Sequence, residues 1–147
     1  MSLREKTLLD LWPDYLSSGY FDKTGNLLPA LVVRSNIQKF AADMANARPA
    51  LTTHQVRRYF QHCRAIEARL RSQTSTWQRE ITAFMTLDRA AADAFGKAPA
   101  KIPQLFHDFI QLNVAAVKTE KDFLEGFLPH FEALIGFGSA YFRNERN

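Results

Sequence analysis

The sequence predicts an all-α protein, a compact bundle of about five to six helices in a single domain. Three observations carry this. Apolar residues recur at helical spacing in six segments, and no segment alternates as a strand does. The prolines fall at segment boundaries, with Pro129 as the exception. At 147 residues, 46% hydrophobic and 23% charged, the chain is long enough to bury one core and ordinary in composition for a globular domain.

Each segment has its own justification. Leu3 to Leu11 is short and amphipathic, and Trp12-Pro13 ends it. Asp22 to Asn26 reads as a turn in which Gly25 takes positive φ. Pro29 suits a first helical turn and opens a helix to about Asn46, with Val33, Ile37, Phe40, Ala41 and Met44 inward. Arg48-Pro49 separates it from the next helix, which Thr52 and Gln55 start as a capping box and which runs to Arg71. Ser75 or Thr76 caps a fourth helix, ending near Gly96, whose apolar side is Trp77, Ile81, Phe84, Met85 and Leu87. After the loop Lys97 to Lys101, Pro103 starts a fifth helix carrying Phe106, Phe109, Ile110, Val114 and Val117. Thr119 caps the last, which runs to about Arg143 with Phe123, Phe127, Phe131, Leu134 and Ile135 inward and a kink at Pro129. Eight of the twelve phenylalanines fall at or after Phe95, and a Phe stripe at helical spacing reads as core rather than as a base-stacking platform.

The charge is concentrated. Residues 52 to 71 carry Arg57, Arg58, Arg64, Arg69 and Arg71 against one acid, Glu67, for a net +4. The other 127 residues hold fourteen basic and fourteen acidic side chains. At 100° per residue, Val56, Tyr59, Phe60, Cys63, Ile66 and Leu70 fill an apolar arc of roughly 120°. Arg57, Arg64 and Arg71 share one stripe with Gln61, and Arg58 and Arg69 widen the basic side to roughly 160°. An ordinary solvated helix face is the plain alternative. All five cations being arginine favours phosphate, which guanidinium can meet bidentately.

Other chemistries find little support. One cysteine, Cys63, on an apolar face, excludes an internal disulfide, fits a reducing compartment and is a poor nucleophile. The amino terminus lacks a signal-peptide pattern and no stretch is long and apolar enough to span a bilayer, so the expected location is cytoplasmic. His54, His62, His107 and His130 make no metal-ligand spacing, and no cofactor motif is present. His107 and Asp108, adjacent on a helix, are not expected to face each other. Gly136 and Gly138 suggest close helix packing, not a phosphate-cradling loop. The enzyme reading is weak. Lys118 and Lys121 form a second, smaller basic spot with Glu120 and Asp122 beside it, no more than a solvated helix cap on composition alone.

Three blocks together resemble a known family: Gly19-Tyr-Phe-Asp22 through Gly25-Asn26 and Leu31-Val32; Leu51-Thr-Thr-His-Gln-Val-Arg-Arg-Tyr-Phe60 with Ile66-Glu67; and Lys118 to Phe123 with Phe131-Glu-Ala133. In this order and spacing they are similar to the small subunit of the Csm effector complex of type III-A CRISPR-Cas systems. The Thr-Thr-His-Gln-x-Arg-Arg-Tyr-Phe block is the most specific. The resemblance implies a family core over residues 19–143 and an amino-terminal extension over 1–18. It implies an all-helical subunit without catalytic activity or cofactor. Copies would stack head-to-tail along the crRNA and target RNA, beside the backbone subunits and the large polymerase-like subunit. The family's RNA-facing positions fall on Arg57, Arg58 and Arg64, with Lys118 and Lys121 as a second patch; Gln61 and Arg71 join them on the basic stripe.

The sequence thus predicts a subunit that holds the RNA backbone without reading bases. Two rivals stand beside it. A DNA-binding regulator would use residues 53–71 as a recognition helix, although Arg48 to Leu51 makes a loose approach for a helix-turn-helix. A helical scaffold would turn its arginines to an acidic protein partner.

Overall fold

The structure, a computed structural model, describes residues 6–143. Among them lie six α-helices: α1 (Leu8–Leu11), α2 (Arg34–Ala45), α3 (Thr53–Arg71), α4 (Trp77–Gly96), α5 (Gln104–Ala116) and α6 (Leu128–Gly138). The β-type pairing among the described residues is confined to two isolated bridges, Phe21 with Leu27 and Thr52 with Arg143. The all-α prediction holds.

The helices close around phenylalanine. α2 packs on α6, α4 on α5, and α3 on both α4 and α6. Phe106, Phe109, Phe123, Phe127 and Phe131 are fully buried. Phe109 meets Phe131 edge-on at 5.2 Å, and Phe123 stacks on Trp77 at 5.3 Å. Such ring pairs add to the area they bury. The Phe stripe is core, as its spacing predicts.

Boundaries depart from the sequence in three places. The predicted helix Leu3 to Leu11 is seen as α1 alone, its residues 3–5 lying outside the described residues. Pro29 opens a single 3-10 turn, Pro29–Leu31, and α2 starts only at Arg34. The β-branched pair Val32-Val33 explains the break: Val33 is extended at ψ 138° and, against expectation, 40% exposed. The last helix contains a π segment, Asp122–Phe127, in which the Leu128 N–H donates to the Phe123 carbonyl. The wide turn comes directly before Pro129, so the helix meets its missing N–H with an i→i+5 step rather than a simple kink. Thr119 caps as predicted, its Oγ1 accepting from Asp122 N–H at 3.0 Å.

That helix ends at Gly138, short of the predicted Arg143. A Cβ at Gly138 would lie 2.6 Å from the Phe142 ring and 2.9 Å from Ala41. The close approach lets the chain turn back, and Thr53 N–H donates to the Arg143 carbonyl at 2.9 Å. Gly136 has no such role, with nothing near its Cβ position.

The Gly-Tyr-Phe-Asp block has a structural reason. Gly19 and Gly25 both take positive φ, at 71° and 88°. Asp22 Oδ1 accepts from Thr24 N–H at 2.8 Å and Asn26 N–H at 3.0 Å, fixing the turn. Tyr20 then packs into the π segment, where a Cβ on Gly126 would stand 2.6 Å from its ring.

Behind Tyr20 runs a buried polar network absent from the sequence reading. Tyr20 Oη donates to Asn113 Oδ1 at 2.7 Å, and Asn113 Nδ2 donates to Tyr15 Oη at 2.8 Å and to the Phe109 carbonyl at 2.8 Å. His130 Nδ1–H donates to the Leu31 carbonyl, which fixes the tautomer and leaves Nε2 to accept from Tyr15 Oη at 2.6 Å. Every member is satisfied. Such a network favours one packing arrangement over its rivals.

Candidate nucleic-acid interface

The basic helix begins as its sequence says it must. Thr52 Oγ1 accepts from Gln55 N–H at 3.2 Å and Thr52 N–H donates to Gln55 Oε1 at 3.0 Å, completing the capping box. Val56, Cys63, Ile66 and Leu70 are buried against the core. Burial also pushes the Cys63 thiol far up, away from thiolate chemistry. The opposite side is therefore forced outward, and Arg57, Arg58, Gln61, Arg64 and Arg71 are all exposed.

Exposure does not make these cations equivalent. Arg57 and Arg58 form no hydrogen bond or ion pair among the described residues. Arg64 and Arg71 share one carboxylate: Arg64 Nη1 and Arg71 Nε each donate to Glu67 at 2.8 Å. Arg64 also lies over the Phe60 ring at 5.7 Å. Arg69 turns away to Glu80, donating to it from Nε and Nη2 at 2.7 to 3.1 Å. The pairing holds the Glu80 carboxyl below the usual range. The broad face predicted from the helical wheel is thus narrower, because Arg69 is a structural clamp between α3 and α4.

The lysine pair is engaged locally. Lys121 Nζ donates to the Gly25 carbonyl at 3.2 Å and lies 4.5 Å from the Phe21 ring centroid, and Lys118 Nζ donates to the Ala115 carbonyl at 3.2 Å. The final helix runs antiparallel to α3, since Thr53 meets Arg143, Phe60 meets Phe131, and Trp77, just past the end of α3, meets Phe123. Lys118 and Lys121 accordingly stand at the Arg71 end of the molecule, far from Arg57.

Two cations that the sequence does not assign to the interface lie beside Arg58. A cleft of about 480 Å³ between α3 and α4 is lined by Arg58, Lys97 and Lys101 as well as Tyr59 and His62. Lys101 is held there by its backbone, its N–H donating to the Ala94 carbonyl at 2.9 Å and its carbonyl accepting from Gln55 Nε2 at 2.6 Å. No local sequence signal marks the pair; only the return of the loop after α4 brings them to α3.

Among the described residues no group of three His, Cys, Asp or Glu could hold a metal ion. His62 Nε2–H donates to the Ala83 carbonyl at 2.6 Å. His107 Nδ1 does meet Asp108 Oδ1, at 3.0 Å, contrary to the helical expectation. Asp108 is buried, and its other oxygen accepts from the Leu8 N–H at 3.0 Å, which ties α5 to the first residue of α1. Among the described residues no helix is long and apolar enough to cross a membrane.

Fold and surface define a small helical-bundle protein whose distinguishing feature is one arginine-rich helix face. The chain matches the Csm2 Type III-A family over residues 32–144 and belongs to it. Its class is the structural small subunit of the type III-A CRISPR-Cas effector complex, which assembles with other Csm subunits. The match contains the arginine block and the lysine block, while Gly19 to Asn26 precedes it. No curated protein and no solved structure matches the chain.

Proposed function

We propose that this subunit holds the sugar-phosphate backbone of the crRNA or its target RNA on the exposed face of α3, without reading bases and without catalysis. The observation that carries the reading is the pair Arg57 and Arg58, two exposed guanidinium groups that engage no carboxylate among the described residues. Unpaired arginines on a rigid, capped helix are suited to phosphate oxygens. Gln61 adds a neutral donor, and Arg64 and Arg71 extend the track once phosphate competes with Glu67 for them. Lys118 and Lys121 serve as a secondary patch at the far end.

A track of this kind tolerates every guide sequence, leaving sequence choice to base pairing. One subunit binds weakly; several copies stacked head-to-tail, beside the backbone subunits and the large polymerase-like subunit in the cytoplasm, reach useful affinity through effective concentration. Residues 19–143 form the unit that does this, with 1–18 as an extension. The DNA-regulator alternative loses ground because residues 46–52 separate α2 from α3, a longer connection than the three- to four-residue turn of a helix-turn-helix.

The test is fluorescence anisotropy with single-stranded RNAs of unrelated sequence and a DNA duplex, for wild type and Arg57→Glu/Arg58→Glu/Arg64→Glu. Circular dichroism checks that both fold. Sequence-independent RNA binding lost in the folded variant is the expected result. Unchanged RNA binding by the variant would make α3 a protein-docking face instead.

A further inference from the structure

We infer that the cleft between α3 and α4 is a pocket for one ribonucleotide unit turned out of the RNA strand held on α3. The inference rests on the proposed function and deepens it, since Arg58 belongs to both surfaces.

The cleft's charge and its floor each point to a nucleotide. Three cations from three elements converge on it, Arg58 from α3, Lys97 at the end of α4 and Lys101 from the loop, against one carboxylate, Asp93. Asp93 pairs with Lys97, at 3.3 Å. The Arg58 guanidinium and the Lys101 ammonium form no hydrogen bond or ion pair among the described residues, so the rim can bind phosphate without breaking a contact. The floor is apolar, formed by the buried Leu87 and Ile102, and the exposed Ala90 lines the cleft together with Tyr59. Tyr59 is fixed by its edge-on contact with Phe106 at 5.0 Å, and its hydroxyl forms no hydrogen bond among the described residues. His62 spends Nε2–H on Ala83 and keeps Nδ1 to accept from a base or ribose. A volume of about 480 Å³ lies within the roughly 300–1,000 Å³ of small-ligand sites.

The arrangement along α3 relates the two surfaces. Gln55, Arg58, Tyr59 and His62 recur at i, i+3, i+4 and i+7 and face the cleft, while Arg57, Gln61 and Arg64 occupy the neighbouring outer stripe. A strand following the outer stripe passes the mouth at Arg58. One phosphate held by Arg58 and Lys101 would direct its nucleoside onto the Tyr59 floor, where contact with any base is sequence-tolerant.

Three variants separate this from simple backbone tracking. Lys97→Glu/Lys101→Glu reverses the rim charge, Ala90→Trp obstructs the cleft from its exposed edge without changing charge, and Arg57→Glu/Arg64→Glu disrupts only the outer stripe. Each is checked for fold by circular dichroism and assayed for single-stranded RNA binding by anisotropy, for 5′-AMP and 5′-UMP binding by calorimetry, and, with 4-thiouridine RNA, for photocrosslink sites by mass spectrometry. The expected result is about a tenfold loss of RNA affinity in both cleft variants, with wild-type crosslinks in the loop 97–101. RNA binding lost only in Arg57→Glu/Arg64→Glu, with no crosslink to that loop, overturns the pocket and leaves the track standing. Saturable mononucleotide binding that needs Lys101, with RNA binding unaffected by the cleft variants, also overturns it and makes the cleft a free-nucleotide site. Wild type that binds no RNA overturns track and pocket together.

Discussion

Arg69 grips Glu80 through a forked ion pair, with Nε and Nη2 both donating to a carboxylate that is 6% exposed. The contact ties the end of α3 to the start of α4 and removes one arginine from the surface that the other four share. Arg69→Ala should therefore destabilise the fold and lower the urea midpoint, since it leaves the Glu80 carboxylate without its partner. RNA affinity of the folded fraction should stay within about twofold of wild type, since a clamp makes no phosphate contact. Arg57→Ala should do the reverse, weakening RNA binding while leaving the urea midpoint in place. Urea melts and anisotropy on the two variants measure the crossover; equal loss of RNA affinity in both would mean that Arg69 leaves Glu80 to bind RNA.

Why the sequence overcounted the face is a matter of reach. A helical wheel places Arg58 and Arg69 equally on the basic side, but it carries no information about α4. The partner of Arg69 comes from the next helix, and Lys97 and Lys101 reach Arg58 by the same route in the opposite sense. Local signals were reliable where the chemistry is local: the Thr52–Gln55 box, the Thr119 cap and the positive φ at Gly25 are all present. The His130–Tyr15–Asn113–Tyr20 network could not be read in advance, because its members come from distant parts of the chain and meet only through packing.

Glu67 sets how much of the remaining face is available. It holds both Arg64 and Arg71 at 2.8 Å, so phosphate must compete with a carboxylate for each. Glu67→Gln should tighten single-stranded RNA binding about three- to tenfold at low salt, with the gain shrinking as salt rises. Anisotropy at two ionic strengths checks this. A protein-docking face for an acidic partner would instead show the gain with that partner and none with RNA.

His130 makes stability pH-dependent in a defined window. Burial lowers its pKa to about 4, against 6.5 for the free side chain, while its bond to Leu31 opposes the shift. Between those values the unfolded chain binds a proton that the folded chain refuses, so stability falls as pH drops from about 6.5 towards 4. The full loss is about 3 kcal/mol, complete below the folded pKa. Most of that window lies above the titration of ordinary carboxylates, which separates it from Glu80 and Asp22, whose contributions disappear at lower pH. Urea melts at pH 7 and pH 5 should differ by about 2 kcal/mol, and an equal midpoint at both would mean that His130 is not held neutral.

Two of the three glycines of the last helix, Gly126 and Gly136, should respond oppositely to alanine. At Gly126 a new Cβ would sit 2.6 Å from Cγ and 2.8 Å from Cβ of Tyr20, atoms near the backbone with little freedom to retreat. Gly126→Ala should cost about 1–3 kcal/mol as Tyr20 and its bond to Asn113 are displaced. At Gly136 nothing approaches, and the residue lies within α6. Gly136→Ala should stabilise by up to about 1 kcal/mol through lower unfolded-state entropy and better helix propensity. Thermal melts decide both, and a neutral Gly126→Ala would show that Tyr20 does not pack against the π segment as described.

The salt dependence of RNA binding counts the arginines in use. On single strands each neutralised phosphate contributes roughly −0.7 to the slope of log affinity against log salt concentration. Arg57 and Arg58 alone would give about −1.4, and recruiting Arg64 and Arg71 from Glu67 would bring the slope to about −2.8. A titration from low to moderate salt on the isolated subunit should therefore fall between these limits and be the same for unrelated RNA sequences. Arg64→Gln/Arg71→Gln should return it to the lower figure, whereas Arg69→Ala should leave it unchanged. A slope near zero would identify contacts to bases or to apolar surface in place of phosphate, and binding would then depend on which RNA sequence is offered.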